Sequence, residues 1–209
     1  MADVVLFHSV LGLRPGVIAA ADRLRAAGHT IYAPDLYDGE VFDDIEDGQR
    51  KEEALGYQEI ARRARESVAG LPEALVYAGF SMGVTYAELL AASRPGALGV
   101  VLLHGAESVE TLSEFFGVEH WPAGIPVQVH YATGDPWVEA EGEVAPLGDA
   151  VRGTGAAFEV HTYPGSGHLF ADPDLPEHDR SSSEEMWRRV LAFLDRIDAR
   201  GVDPEGETC

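Results

Sequence analysis

The chain has 209 residues, 45% hydrophobic and 24% charged, the usage of one ordinary globular domain and not of a disordered or fibrous chain. Against 15 basic residues stand 36 acidic ones, a formal charge of −21 that repels phosphate backbones and anionic bilayers, so the expected partner is a small molecule, with no nucleic acid and no membrane. The apolar runs fall far short of the roughly 20 residues of a membrane span, and the lone cysteine, Cys209, has no internal partner, which makes the cytoplasm the expected compartment.

Apolar spacing predicts the elements in chain order. The run at 3–8 follows an acid and no basic leader, and reads as a strand and not a signal peptide. Val17, Ala20, Ala21 and Leu24 recur at three and four residues and predict a helix over 16–27. A strand at 29–33 and a helix over 48–69 follow, then a strand at 74–80 and a helix over 82–94. After a strand at 97–104 comes the segment 106–124, which has two open readings: it shapes a pocket, or it is a short surface helix whose Phe115, Phe116 and Trp121 join the core. A strand at 125–132, a helix over 143–152 and a strand at 156–163 lead to a last helix over 183–199, with capping hydroxyls expected from Ser181, Ser182 and Ser183. One domain spans 1–200, and the polar stretch 201–209 reads as a flexible tail. Six strands apolar on both faces, alternating with helices, specify an α/β fold: a doubly wound, mainly parallel sheet with helices on both faces.

One junction carries chemistry. Gly79-Phe80-Ser81-Met82-Gly83 joins strand to helix in the G-x-S-x-G pattern of a nucleophile elbow, whose glycines let neighbouring backbone pass close to a sharply turned serine. A serine hydroxyl needs a base, and the base needs an acid to orient it. Asp135 stands just past the strand at 125–132, and His168 lies in a glycine-rich loop after the strand at 156–163, in the chain order Ser, Asp, His of the α/β-hydrolase fold. Ser81, Asp135 and His168 are therefore the candidate catalytic residues. The candidate oxyanion donors are the N–H groups of Met82 and, from the loop after the first strand, Val10. His8, Ser9, Tyr37, His104, Trp121 and Trp137 are candidate pocket residues, while His130 and His161, within strands, read as packed or edge residues. No metal-ligand spacing occurs, and no cofactor is expected.

With these residues assembled, the chain resembles the dienelactone hydrolase family over nearly its whole length. The stretches that carry the likeness are Phe7-His8-Ser9-Val10-Leu11-Gly12-Leu13, Ala21-Asp22-Arg23-Leu24, Ala33-Pro34-Asp35-Leu36-Tyr37 and Gly167-His168-Leu169-Phe170. The resemblance implies the α/β-hydrolase fold and hydrolysis of ester bonds. Two departures stand out. The family typically has Cys as nucleophile and Glu in the oxyanion loop, where this chain has Ser81 and Ser9. Members acting on dienelactones hold the substrate carboxylate with Arg, including one four residues after the histidine, where Asp172 stands here. The expectation is a serine-nucleophile variant, monomeric or homodimeric, acting on a small neutral ester, lactone or thioester. The competing readings are a non-catalytic ligand-binding or pathway-accessory protein of the same fold, and an acyltransferase or cyclase with the same triad.

Overall fold

In the computed structural model, which describes residues 1–201, six parallel strands build one sheet. They are β1 (Asp3–Phe7), β2 (Thr30–Tyr32), β3 (Leu75–Phe80), β4 (Ala97–Leu103), β5 (Val127–Ala132) and β6 (Phe158–Tyr163), in the order β2-β1-β3-β4-β5-β6. Successive side chains of a strand point to opposite faces. Val5 and Phe7 of β1, Leu75 and Tyr77 of β3, and Val100 and Leu102 of β4 enter one core. Val4, Leu6, Val76, Ala78, Val101 and Leu103 enter the other. This two-sided burial is why the runs are apolar without a polar face.

The face of Val4 and Leu6 is covered by α1 (Pro15–Ala26) and α8 (Arg180–Gly201), through Val17, Ala21 and Leu24 of one and Met186, Val190 and Leu194 of the other. The opposite face carries α2 (Ile45–Leu55), α3 (Tyr57–Val68), α4 (Met82–Ser93), α5 (Val109–Phe116) and α7 (Val144–Gly153). A six-residue helix, α6 (Pro136–Glu141), follows β5. The chain runs outward from β1 to β2, then crosses back to place β3 on the other side of β1. That reversal opens a crevice beyond the carboxyl ends of β1 and β3, where ligands of open α/β sheets bind.

Four expectations change. The helix over 48–69 is two helices, because Gly56, at φ 78° and ψ 147°, closes α2 and opens α3. The last helix begins at Arg180, and its cap is Asp179, whose Oδ1 accepts from the Ser182 N–H at 2.7 Å; the serine hydroxyls do not cap it. The short helix α6 starts at Pro136, directly after Asp135, and has no counterpart in the periodicity. The segment 106–124 combines both of its readings: α5 forms there, Phe115 and Phe116 line a cavity, and Trp121 is buried in the core. Of the tail expected over 201–209, Gly201 closes α8, and the remainder, including Cys209, lies outside the described residues. No helix of the described residues is long and apolar enough to cross a membrane.

Candidate active site

The turn between β3 and α4 is strained. Ser81 sits at φ 47° and ψ −119°, a region that residues with a Cβ rarely enter. Its backbone is held from both sides: the Ser81 N–H donates to the Leu103 carbonyl at 2.8 Å, and its carbonyl accepts from Val84 N–H at 2.7 Å. The flanking glycines are sterically required. A Cβ on Gly79 would lie 2.1 Å from the Gly83 carbonyl oxygen, and one on Gly83 would lie 2.7 Å from the carbonyl oxygens of both Phe7 and His8. The same close approach seats the loop after β1 against the start of α4.

The serine faces a histidine and an acid delivered by two other strand ends. Asp135, fully buried, accepts from the Trp137 N–H through Oδ1 at 3.0 Å, as the N-cap of α6, and its Oδ2 lies 2.7 Å from His168 Nδ1. A carboxylate only accepts, so Nδ1 carries the proton and Nε2 is left as an acceptor. That nitrogen lies 2.8 Å from Ser81 Oγ. The three side chains thus form one chain of hydrogen bonds in which the hydroxyl proton points at a base oriented from behind. In the neighbouring loop the Gly12 N–H donates to the Ser9 carbonyl and the Leu11 N–H to Ser9 Oγ, and neither turn bond uses the Val10 N–H. The Met82 N–H is the first of α4 and has no intrahelical acceptor. Val10, Ser81 and Met82 line the same cavity.

That cavity, about 370 Å³, lies between the strand ends and the helices of the α4 face, and among its walls are His104 and Trp137. The Trp137 ring is 6.0 Å from that of His168, centroid to centroid. His104 follows β4 at a positive φ of 68° and is wedged between Phe80 and Phe170, its ring centroid 6.3 Å from that of His168. It is 1% exposed, and neither ring nitrogen has a hydrogen-bond partner among the described residues. Burial first, then the neighbouring His168 and His130, hold it well below the usual histidine range and therefore neutral.

The other pocket candidates lie elsewhere. His8 is fully buried as a brace for the loop: Nε2 accepts from Leu36 N–H at 3.0 Å, and Nδ1 lies 2.7 Å from the Ser9 carbonyl. Ser9 is buried and lines a separate small cavity with Gly16 and Val17 of α1 and Asp172. Tyr37 is in the core, and its hydroxyl donates to Met82 Sδ at 3.1 Å. Trp121 is also buried, and its Nε1–H donates to the Ile125 carbonyl. In all four the side chain turns inward. His130 is buried between Gln128 and Tyr163, its ring nitrogens 2.8 Å from Gln128 Oε1 and 2.9 Å from the Tyr163 hydroxyl.

Sequence reasoning passed over a group of acids around the cavity. Glu52, Glu107 and Glu143 line it, from α2, the loop after β4 and the start of α7. Beneath them Glu88 of α4 is fully buried and accepts from the Glu107 N–H at 3.0 Å; burial, reinforced by the Glu107 charge, raises its carboxyl well above the usual range. Among the described residues no three His, Cys, Asp or Glu side chains gather as a metal site.

The model of the dienelactone hydrolase family matches residues 1–198. The chain belongs to the dienelactone hydrolase family. A dienelactone is a cyclic ester, and the protein is a hydrolase of ester bonds. Among solved structures it is similar to the protein m3DLH, with 26% identity and a TM-score of 0.73 over 94% of this chain and 86% of that one. A dienelactone hydrolase-like promiscuous phosphotriesterase from metagenomic libraries shares the fold at 20% identity and a TM-score of 0.73, covering 94% and 87% of the two chains. So does a thermophilic esterase from the planctomycete Thermogutta terrifontis, at 18% identity and a TM-score of 0.58, covering 98% and 86%. No curated protein matches the sequence. Within the dienelactone hydrolase family, this member turns the position four residues after the histidine away from the active-site cavity. Asp172 lies with its Oδ2 3.2 Å from Arg14 Nε, packed on Gly16 at the start of α1.

Proposed function

We propose that the protein is a serine hydrolase that opens a small ester, lactone or thioester through Ser81, His168 and Asp135 by way of an acyl-enzyme. The observation that carries this reading is the unbroken hydrogen-bond chain from Ser81 Oγ through His168 to Asp135. In the first half-reaction Ser81 Oγ attacks the substrate carbonyl while His168 Nε2 takes its proton. Asp135 keeps the imidazole in the tautomer that can accept and stabilises the imidazolium that results. The carbonyl oxygen becomes an oxyanion, for which the N–H groups of Val10 and Met82 are the donors, each able to contribute about 3 kcal/mol in such a site. Collapse of the tetrahedral intermediate expels the alcohol or thiol, which receives the proton from His168. Water then repeats the sequence on the acyl-enzyme and releases the acid.

A hydroxyl has no populated anion at neutral pH, so this chemistry depends on the base more than a thiolate nucleophile would. Ser81→Ala is expected to lower kcat on short p-nitrophenyl esters by about 1,000-fold or more, and the same variant is expected to lose labelling by a fluorophosphonate. Undiminished hydrolysis by the pure variant refutes the assignment. The same chain of hydrogen bonds supports an enzyme over a non-catalytic accessory protein.

A further inference from the structure

One side chain of the cavity wall is tied to the proton relay itself. Trp137 stands two residues after Asp135, and its backbone N–H donates to Asp135 Oδ1 at 3.0 Å, while Pro136 at the start of α6 fixes the turn between them. The acid that orients His168 thereby also sets where the indole stands. Its ring centroid lies 6.0 Å from that of His168, with the planes inclined at 47°. Trp121 and Trp187 are 2% and 3% exposed in the two cores, whereas Trp137 is 39% exposed and lines the cavity with Ser81 and His168. Of the other rings in the wall, His104 is wedged between Phe80 and Phe170, and Phe115 and Phe116 pack on Tyr57 and Tyr86.

The chemistry divides the substrate at this point. In the proposed serine hydrolase mechanism, on which this reading rests, the bond from the acyl carbon to the alcohol oxygen or thiol sulfur breaks, and His168 Nε2 hands the departing atom the proton taken from Ser81. That atom therefore comes within hydrogen-bond reach of Nε2, about 3 Å. The acyl carbon and its oxygen lie instead at Ser81 and the N–H groups of Val10 and Met82. We infer that Trp137 recognises the departing half of the substrate, and that the enzyme prefers esters and thioesters of aromatic alcohols and thiols. A flat ring set offset or edge-on against the indole gains over a saturated ring of equal size, because the negative face of one aromatic attracts the positive edge of the other beyond what area burial supplies.

The test holds the acyl group constant and varies the alcohol. Benzyl acetate and cyclohexylmethyl acetate differ in an aromatic against a saturated ring, and both leave the same acetyl-enzyme, so the ratio of their kcat/KM values reports acylation alone. Each value is divided by that ester's rate with hydroxide to remove intrinsic reactivity. The native enzyme is expected to favour the benzyl ester about fivefold or more. Trp137→Leu, which keeps the backbone N–H for Asp135, is expected to bring the ratio to about twofold or less, and Trp137→Phe to retain most of it. The ratio of p-nitrophenyl butyrate to p-nitrophenyl acetate, which varies the acyl half, is expected to stay the same in all three proteins. A Trp137 that only steadied Asp135 would slow both acetates alike in Trp137→Leu and leave their ratio native. That outcome overturns the inference, as does an equal change in the butyrate ratio. So does a native enzyme that takes the two acetates equally or turns over neither, a result that needs no variant to fold. If the benzyl preference and its dependence on Trp137 hold while Ser81→Ala still hydrolyses both acetates, the recognition stands and the proposed nucleophile falls.

Discussion

Glu88 keeps a carboxyl group fully out of solvent, under a second acid, with its oxygens turned to the Glu107 N–H. In the unfolded chain it ionises near 4.5, whereas in the folded protein burial, and then Glu107, raise its pKa well above that. Between those two values the folded state holds a proton that the unfolded state releases, so the group's contribution is full below about pH 4.5 and is lost as pH rises. Glu88→Gln keeps the acceptor and removes the titration. The gain in Tm of that variant over the native protein is expected to grow from pH 5 to pH 8 in thermal melts; a gain that shrinks with pH would contradict the burial argument. Residue by residue, the hydrogen-bonded trio Ser81, Asp135 and His168 was legible because each member sits in a local pattern: an elbow, an Asp-Pro turn, a glycine-rich histidine loop. Glu88, Glu107 and Glu143 were not legible, since their proximity arises from three elements meeting in space and no motif joins them. Conversely His8, Ser9, Tyr37 and Trp121 were open in the sequence between the pocket and the core, and packing turned them inward.

Two glycines separate backbone conformation from steric room at the level of elements. Gly56 joins α2 to α3 at a positive φ, and a Cβ there meets nothing within 4 Å, so Gly56→Ala is expected to cost only the conformational penalty of about 1–3 kcal/mol. Gly83 has a helical backbone, but its Cβ would strike the Phe7 and His8 carbonyls. Gly83→Ala is therefore expected to cost about 3 kcal/mol or more and to displace the elbow, with a larger loss of esterase activity than of helix content. Urea unfolding and ester turnover of the two variants check this ordering. The strands were legible because a sheet buried on both sides writes itself as apolar runs. The break at Gly56 was not, because an apolar period continues across it and only φ distinguishes an interrupted helix from a continuous one. Nor was α6, whose six residues are too few to show a period.

Across the whole molecule the acid excess acts as a weak outward pressure. Many carboxylates have nearby arginine partners, as Glu59 has Arg62 and Arg63, yet the sum remains −21. Self-repulsion of that size is screened by salt. The Tm is expected to rise by several degrees between 0.05 and 1 M NaCl; a fall would mean that local ion pairs outweigh the net charge. The order of the sheet carries one more consequence, a matter of time. Val4 pairs with Val76, so the second strand to dock on β1 is made only after some seventy further residues have left the ribosome. Contacts between distant parts of a chain are slow to close. The elbow depends on them, since the backbone against which Gly83 rests belongs to the chain's first eight residues and the anchor for the Ser81 N–H belongs to β4. In refolding, helix should return early and the strained turn at Ser81 last, so that ester hydrolysis returns only when the first, third and fourth strands have come together.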